Sequence, residues 1–137
     1  MSNSRAKEAI AGAPSYVAIL GFALGSRLLA RLPLPRLDAL LTPRRRRQRP
    51  PERVELAARR VERVLWWTRR PLRHTCLTRG LTRYYFLRKA GADVRLVFGV
   101  SPADGTGHCW IVRDGQIYKE TTDPDAQFVD VVALPLR

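Results

Sequence analysis

The chain has 137 residues, a length that suits one domain and can bury a hydrophobic core without disulfides or metal ions. Its formal net charge of +13 is uneven, because residues 1–75 hold 17 Lys and Arg against 5 Asp and Glu, whereas residues 76–137 hold 8 against 7. Two cysteines are too few for a disulfide scaffold, and the N-terminus lacks the pattern of a secretory signal. The composition excludes a disulfide-stapled secreted domain and leads us to expect a cytoplasmic protein.

The first apolar segment predicts a helix over residues 15–32. Apolar side chains recur there at helical spacing, and Pro33 ends the pattern; they are Val17, Leu20, Leu24, Leu28 and Leu32. The longest apolar run, residues 16–25, is far short of the ~20 residues that cross a bilayer. We therefore expect a helix of the core and no transmembrane span.

A run of arginines, Arg44, Arg45, Arg46 and Arg47, lies among prolines and cannot pack into a core. A solvated linker is the plainest interpretation of the run, and a docking surface for a partner or a nucleic-acid patch are the alternatives. Nucleic acid is not favoured, since no aromatic residues are interleaved with the arginines. The run divides the chain into a helical, arginine-rich segment (1–50) and a second region (51–137).

The second region predicts two helices followed by strands. Residues 52–68 form an amphipathic pattern whose apolar positions are Val54, Ala57, Ala58, Val61, Val64 and Leu65. We expect Trp66 and Trp67 to cover the core at the end of this helix. Thr75 is a candidate N-cap for a helix that begins at Cys76 and stops before Gly91. Strands are predicted at residues 94–100, on both sides of an Asp114–Gly115 turn, and at 128–134.

Three residues on these elements, Cys76, His108 and Glu120, predict a Cys-His-carboxylate site. A thiol attacks as the thiolate, which a helix N-terminus stabilises and which forms when a histidine takes the proton of the thiol. A carboxylate is needed to hold the tautomer of that histidine. Cys76 begins a helix, His108 follows a glycine-containing loop, and Glu120 closes the hairpin.

The length of the hairpin loop decides whether Glu120 can reach His108. A three-residue loop over residues 113–115 places His108 opposite Glu120 on one face of the sheet. A two-residue loop of Asp114 and Gly115 shifts the register and moves Glu120 to the face of Cys109. Asp123 is the reserve candidate for the orienting acid.

A metal site built from His74, Cys76, His108 and Cys109 is disfavoured. His108 and Cys109 are adjacent on a strand, so their side chains are expected on opposite faces. We interpret Cys109 as a small core residue behind the sheet and His74 as a structural loop residue.

The strings CLTRGL (76–81), LRKAGADVRLVFGV (87–100) and GHCWIVRDG (107–115) together resemble the transglutaminase-like leader peptidases of lasso-peptide biosynthesis. The resemblance covers about residues 52–120 and is carried by the combination of motifs. It implies an α+β fold in which a catalytic helix packs on a small antiparallel sheet, as in papain. Cys76 matches the nucleophile and His108 the base, and Glu120 stands where the family usually has Asp.

The resemblance also implies a function and partners. The enzyme would remove the leader of a ribosomally made precursor peptide, without a cofactor, together with a separate leader-recognition protein and an ATP-dependent macrolactam cyclase. The arginine-rich first half is then a candidate docking surface. Two alternatives remain open: acyl transfer or deamidation by the same triad, and a non-catalytic basic scaffold that binds precursor or nucleic acid.

Overall fold

The structure is a computed structural model that describes residues 14–42, 51–118 and 128–136. In the described part of the chain, the helices come first and the strands follow. The elements are α1 (Tyr16–Leu29), α2 (Leu34–Leu41), α3 (Pro51–Leu72), α4 (Cys76–Lys89), β1 (Val94–Val100), β2 (Gly107–Arg113), β3 (Gln116–Tyr118) and β4 (Val129–Leu134). This order confirms the expected α+β class.

Local hydrogen bonds explain where the helices begin and end. The Ser15 hydroxyl accepts from the main-chain N–H of Ala18 at the start of α1, and Thr75 accepts in the same way from Thr78 at the start of α4. Helix α4 ends where Gly91 takes a positive φ of 105° and the N–H of Ala92 donates to the carbonyl of Leu87. The predicted N-cap and stop signals of α4 are therefore confirmed.

The strands form one antiparallel sheet in the order β3-β2-β1-β4. The loop between β2 and β3 contains two residues, since Arg113 pairs with Gln116. Asp114 and Gly115 have φ values of 52° and 80°, the left-handed conformation that a two-residue type I′ turn requires. Of the two loop lengths left open by the sequence, the two-residue loop is the one found, because both turn residues tolerate positive φ and the tighter turn matches the twist of the strands.

Helix α4 lies at the centre of the fold, in contact with α1, α3, β1 and β2. The core that it forms with the sheet includes Leu81, Leu87, Leu96 and Ile111, all almost completely buried. A Cβ at Gly80 would come within 2.9 Å of the Leu96 side chain and 3.1 Å of Cys109 Sγ. Gly80 thus lets the first turns of α4 lie directly on side chains of the sheet.

Two predictions about apolar surfaces are wrong. Trp66 and Trp67 are 63% and 61% exposed, because α3 continues to Leu72 and places both rings on the face opposite its buried stripe. On α1 the buried residues are Ile19, Ala23 and Ser26, whereas Val17 and Leu28 of the predicted stripe are 80% and 68% exposed. Within the described ranges, no helix combines the length and the apolar character that crossing a membrane needs.

Gly99 provides a test of packing on the face of the sheet that bears Trp110. An added Cβ there would lie 2.6 Å from the Trp110 ring, which is 2% exposed and cannot move aside. We expect Gly99→Ala to lower the free energy of unfolding by about 1–3 kcal/mol, measured by urea denaturation. Gly21→Ala is the matched control, because nothing lies within 4 Å of its added Cβ and alanine favours a helix by about 0.5–1 kcal/mol. Equal stability losses in both variants would contradict the packing argument.

Candidate active site

Cys76 is the first residue of α4 and is half-buried at the edge of the core. The Thr75 hydroxyl accepts from the N–H of Thr78, and the Thr75 carbonyl accepts from the N–H of Arg79. In the described part of the chain, the N–H groups of Cys76 and Leu77 are therefore the first-turn donors that no acceptor satisfies. Donors in this position can stabilise a thiolate and an oxyanion that forms next to it.

Three groups on β2 contact the Cys76 sulfur. The largest effect comes from the Cys109 thiol, which donates a hydrogen bond; the main-chain N–H of Cys109 and the His108 side chain also donate. Burial opposes these interactions, but the hydrogen bonds and the nearby charge of His108 lower the pKa of Cys76 to about 5. A thiol with such a pKa is a thiolate at neutral pH and can act as a nucleophile.

Both His108 and Cys109 reach Cys76 although they are neighbours on one strand. The Cys76 sulfur lies against the main-chain N–H of Cys109, the point from which the two side chains diverge to opposite faces. Cys109 is a buried core residue, as expected. Its expected position behind the sheet is wrong, because its side chain lies against α4, the helix that begins at Cys76.

Two aromatic rings lie close to the His108 imidazole. The Phe128 ring lies 5.2 Å from the imidazole and the Trp110 ring 5.9 Å, both at small angles to it. Trp110 is two residues from His108 on the same strand face, and Phe128 precedes β4. Sequence reasoning missed these contacts, although the His-x-Trp spacing on a strand was a usable signal for the first.

His74 belongs to a different contact. Its Nε2 hydrogen-bonds to the Thr68 hydroxyl of α3, and burial, followed by the charges of Arg27 and Arg79, lowers its pKa. His74 therefore ties the loop before α4 to α3, which agrees with a structural role. Among the residues that the structure describes, no group of three or more His, Cys, Asp or Glu side chains could hold a metal ion.

The remaining predicted site residues, Glu120, Asp123 and Arg44–Arg47, lie outside the described residues. The two-residue turn nevertheless bears on the acid, since the cross-strand pairing of His108 with Glu120 required a three-residue loop. That geometric argument for Glu120 is lost.

The described geometry brings together a low-pKa thiol, an imidazole and helix N-terminal donors, the arrangement of a cysteine-nucleophile site. The family model of the Transglutaminase-like superfamily matches residues 17–133, which is most of the chain. The chain belongs to the Transglutaminase-like superfamily, whose members are generally cysteine enzymes. No curated protein and no solved structure matches the chain significantly.

The Cys109 hydrogen bond can be tested by replacing its thiol. Cys109→Ala removes a donor to the thiolate, and we expect the pKa of Cys76 to rise from about 5 by about one unit or more. The rate of iodoacetamide alkylation against pH measures this pKa, and the variant leaves Cys76 as the one thiol of the chain. Cys109→Ser retains a donor and should stay closer to the wild-type midpoint. An unchanged midpoint in Cys109→Ala would show that this hydrogen bond does not stabilise the thiolate.

Proposed function

We propose that the protein is a cysteine peptidase that removes the leader from a ribosomally made precursor peptide of the lasso-peptide class. The observation that carries the proposal is the hydrogen-bonded contact of Cys76, at the start of α4, with His108 on β2. Membership of the Transglutaminase-like superfamily supports a Cys-dependent peptidase or acyltransferase. The resemblance of the three motifs around Cys76, Gly99 and His108 to lasso-peptide leader peptidases supports the narrower choice.

In the proposed reaction the Cys76 thiolate attacks the carbonyl carbon of the last leader residue. The N–H groups of Cys76 and Leu77 stabilise the oxyanion of the tetrahedral intermediate. Collapse of the intermediate breaks the C–N bond, and His108 donates a proton to the departing amine of the core peptide. A water molecule, deprotonated by His108, then hydrolyses the thioester and releases the leader.

The proposal includes partners and a location. A separate leader-recognition protein presents the precursor, and an ATP-dependent macrolactam cyclase receives the core peptide with its new N-terminus. These reactions take place in the cytoplasm, and the chemistry of Cys76 and His108 needs no cofactor. We retain Arg44–Arg47 as a proposed contact for an acidic partner, since this run carries a dense positive charge.

Mass spectrometry of a co-encoded precursor tests the proposal. We expect the protein and its neighbouring recognition protein to cut the precursor once, and Cys76→Ala to abolish the cut, because the remaining thiol, Cys109, is buried and does not lie at a helix start. Cleavage should fall as the pH drops through about 5, where the Cys76 thiolate becomes protonated. A cut that survives in Cys76→Ala would overturn the proposed site.

The same experiment separates the two alternatives. A precursor whose mass changes by amide exchange or deamidation, without chain cleavage, would indicate acyl transfer from the same thioester. Intact precursor that binds without any change of mass would instead support a non-catalytic scaffold. Each result would contradict leader cleavage but would remain compatible with a low pKa of Cys76.

The orienting acid can be identified with amide variants. Because the hairpin register no longer supports Glu120, we propose Asp123 as the acid that orients His108. We expect Asp123→Asn to lower kcat by about 10²-fold or more, the usual contribution of a positioned acid–base pair. Glu120→Gln is the matched control and should have a much smaller effect. The opposite order of effects would assign the role to Glu120, the residue that the family resemblance indicates.

A further inference from the structure

A groove of about 580 Å³ lies between α3 and the β2–β3 hairpin, separate from the residues that contact Cys76. Its walls combine aromatic rings with guanidinium groups, and the main contributors are Arg59, Arg63, Trp66, Trp67, Arg113 and Tyr118. The reaction proposed above uses none of them. Tryptophan, tyrosine and arginine are the residues most enriched where proteins bind one another tightly.

The contributors from α3 form one continuous face of that helix. From Glu55 to Trp67 they recur at intervals of three or four residues, so they extend for about 18 Å along the helix axis. The two tryptophan rings are more than 60% exposed at one end of this face. A surface of this length accommodates about five residues of an extended peptide.

Arginines pre-position the rings and set the charge of the groove. The guanidinium of Arg69 stacks on the Trp66 ring at 3.2 Å, and that of Arg63 lies 5.9 Å from the centre of the Trp67 ring. The carboxylates in the groove are already paired: Glu62 with Arg83 and Glu55 with Arg113, each at 2.6 Å. The groove is therefore positive overall and complementary to an acidic ligand.

The paired glutamates also bear on whether the ligand is a peptide or a nucleic acid. Glu55 and Glu62 alternate with the arginines in the wall of the groove, so a nucleic acid, which carries a phosphate at every nucleotide, would place some phosphates beside carboxylates. A peptide can instead place its own carboxylates at the arginines and an apolar side chain between the tryptophans. It then makes both the charged and the apolar contacts that the groove offers. The observations favour an acidic peptide over a nucleic acid.

The position of the groove relates it to the candidate active site. Tyr118, in its wall, pairs with Ile111 across the hairpin, and His108 is three residues further along β2. Three residues of a strand span about 10 Å. A peptide held in the groove would thus have its reactive bond a few residues beyond the anchored part.

We propose that this groove binds an extended acidic segment of the substrate peptide, with an aromatic or branched aliphatic side chain of that segment seated between Trp66 and Trp67. The inference rests on the proposed function for the identity of the peptide as substrate. The groove selects the precursor at a distance from the cut, while Cys76 and His108 perform the cleavage.

Binding is measured in the Cys76→Ala protein, which cannot cut the ligand. The probe is a short fluorescein-labelled peptide of alternating glutamate and phenylalanine, and its binding is measured by fluorescence anisotropy. Its glutamine counterpart and a labelled single-stranded oligothymidylate are the comparison ligands. We expect the acidic peptide to bind most tightly and its affinity to fall with added salt, because its carboxylates meet arginines.

Matched substitutions then locate the binding surface. Trp66→Ala and Trp67→Ala should each weaken binding about tenfold, and Arg59→Gln about threefold with a weaker salt dependence. Leu28→Ala and Arg36→Gln remove an exposed apolar group and a charge elsewhere, and should leave the affinity within about twofold of the parent. The same groove substitutions in the active protein should raise KM for the precursor with kcat unchanged. In the active protein, an unchanged alkylation midpoint of Cys76 shows that each groove substitution keeps the fold and the site.

Several outcomes would overturn the inference. Unchanged affinity in both tryptophan variants would remove the groove as the binding surface, as would a loss seen only when Arg44–Arg47 are replaced by Gln. Tighter binding of oligothymidylate than of the acidic peptide would assign the groove to nucleic acid. If groove-dependent peptide binding is found but no precursor is cut, the proposed peptidase function fails and the docking surface stands.

Discussion

The contact between the first turn of α4 and the start of β2 is the constraint on which the site depends. It places the Cys76 sulfur against the main chain of Cys109. This one helix–strand contact gives the sulfur a main-chain donor, a thiol donor and an imidazole. The contact is possible because Gly80 leaves room for Leu96 and Cys109 beneath the helix. The low pKa of Cys76 follows from the packing of a helix on a sheet, since each donor comes from the element opposite the thiol.

Helix α3 has two faces with different uses. One face buries Val61, Val64 and Leu65 against α1 and α4, and supports the helix that carries the nucleophile. The other face exposes two tryptophans beside arginines and meets the β2–β3 hairpin. Because the hairpin also contains β2, the strand of His108, the arrangement of α3 and β2 relates the candidate active site to the groove.

The sequence predicted the elements better than it predicted their contacts. The N-cap at Thr75, the stop at Gly91 and the buried stripe of α3 were all confirmed, because capping and periodicity are local properties. The apolar stripe of α1 was wrong, since Ile19, Ala23 and Ser26 face the core instead. Ser26 is buried because its hydroxyl donates to the carbonyl of Ala23 and contacts Thr78 across the helix interface, a pairing that no local pattern reveals.

The sequence by itself determined the α+β class and the helix start at Cys76, and it singled out Cys76 and His108 as candidates that the structure brings into contact. These inferences depend on residue chemistry and on neighbours within one or two turns. Only the tertiary structure decided the two-residue turn, the exposure of Trp66 and Trp67, and the role of Cys109 as a donor. Turn type depends on the twist of the paired strands, and exposure depends on which face another element covers. A hydrogen bond between residues 33 positions apart exists only because the packed core brings a helix end onto a strand.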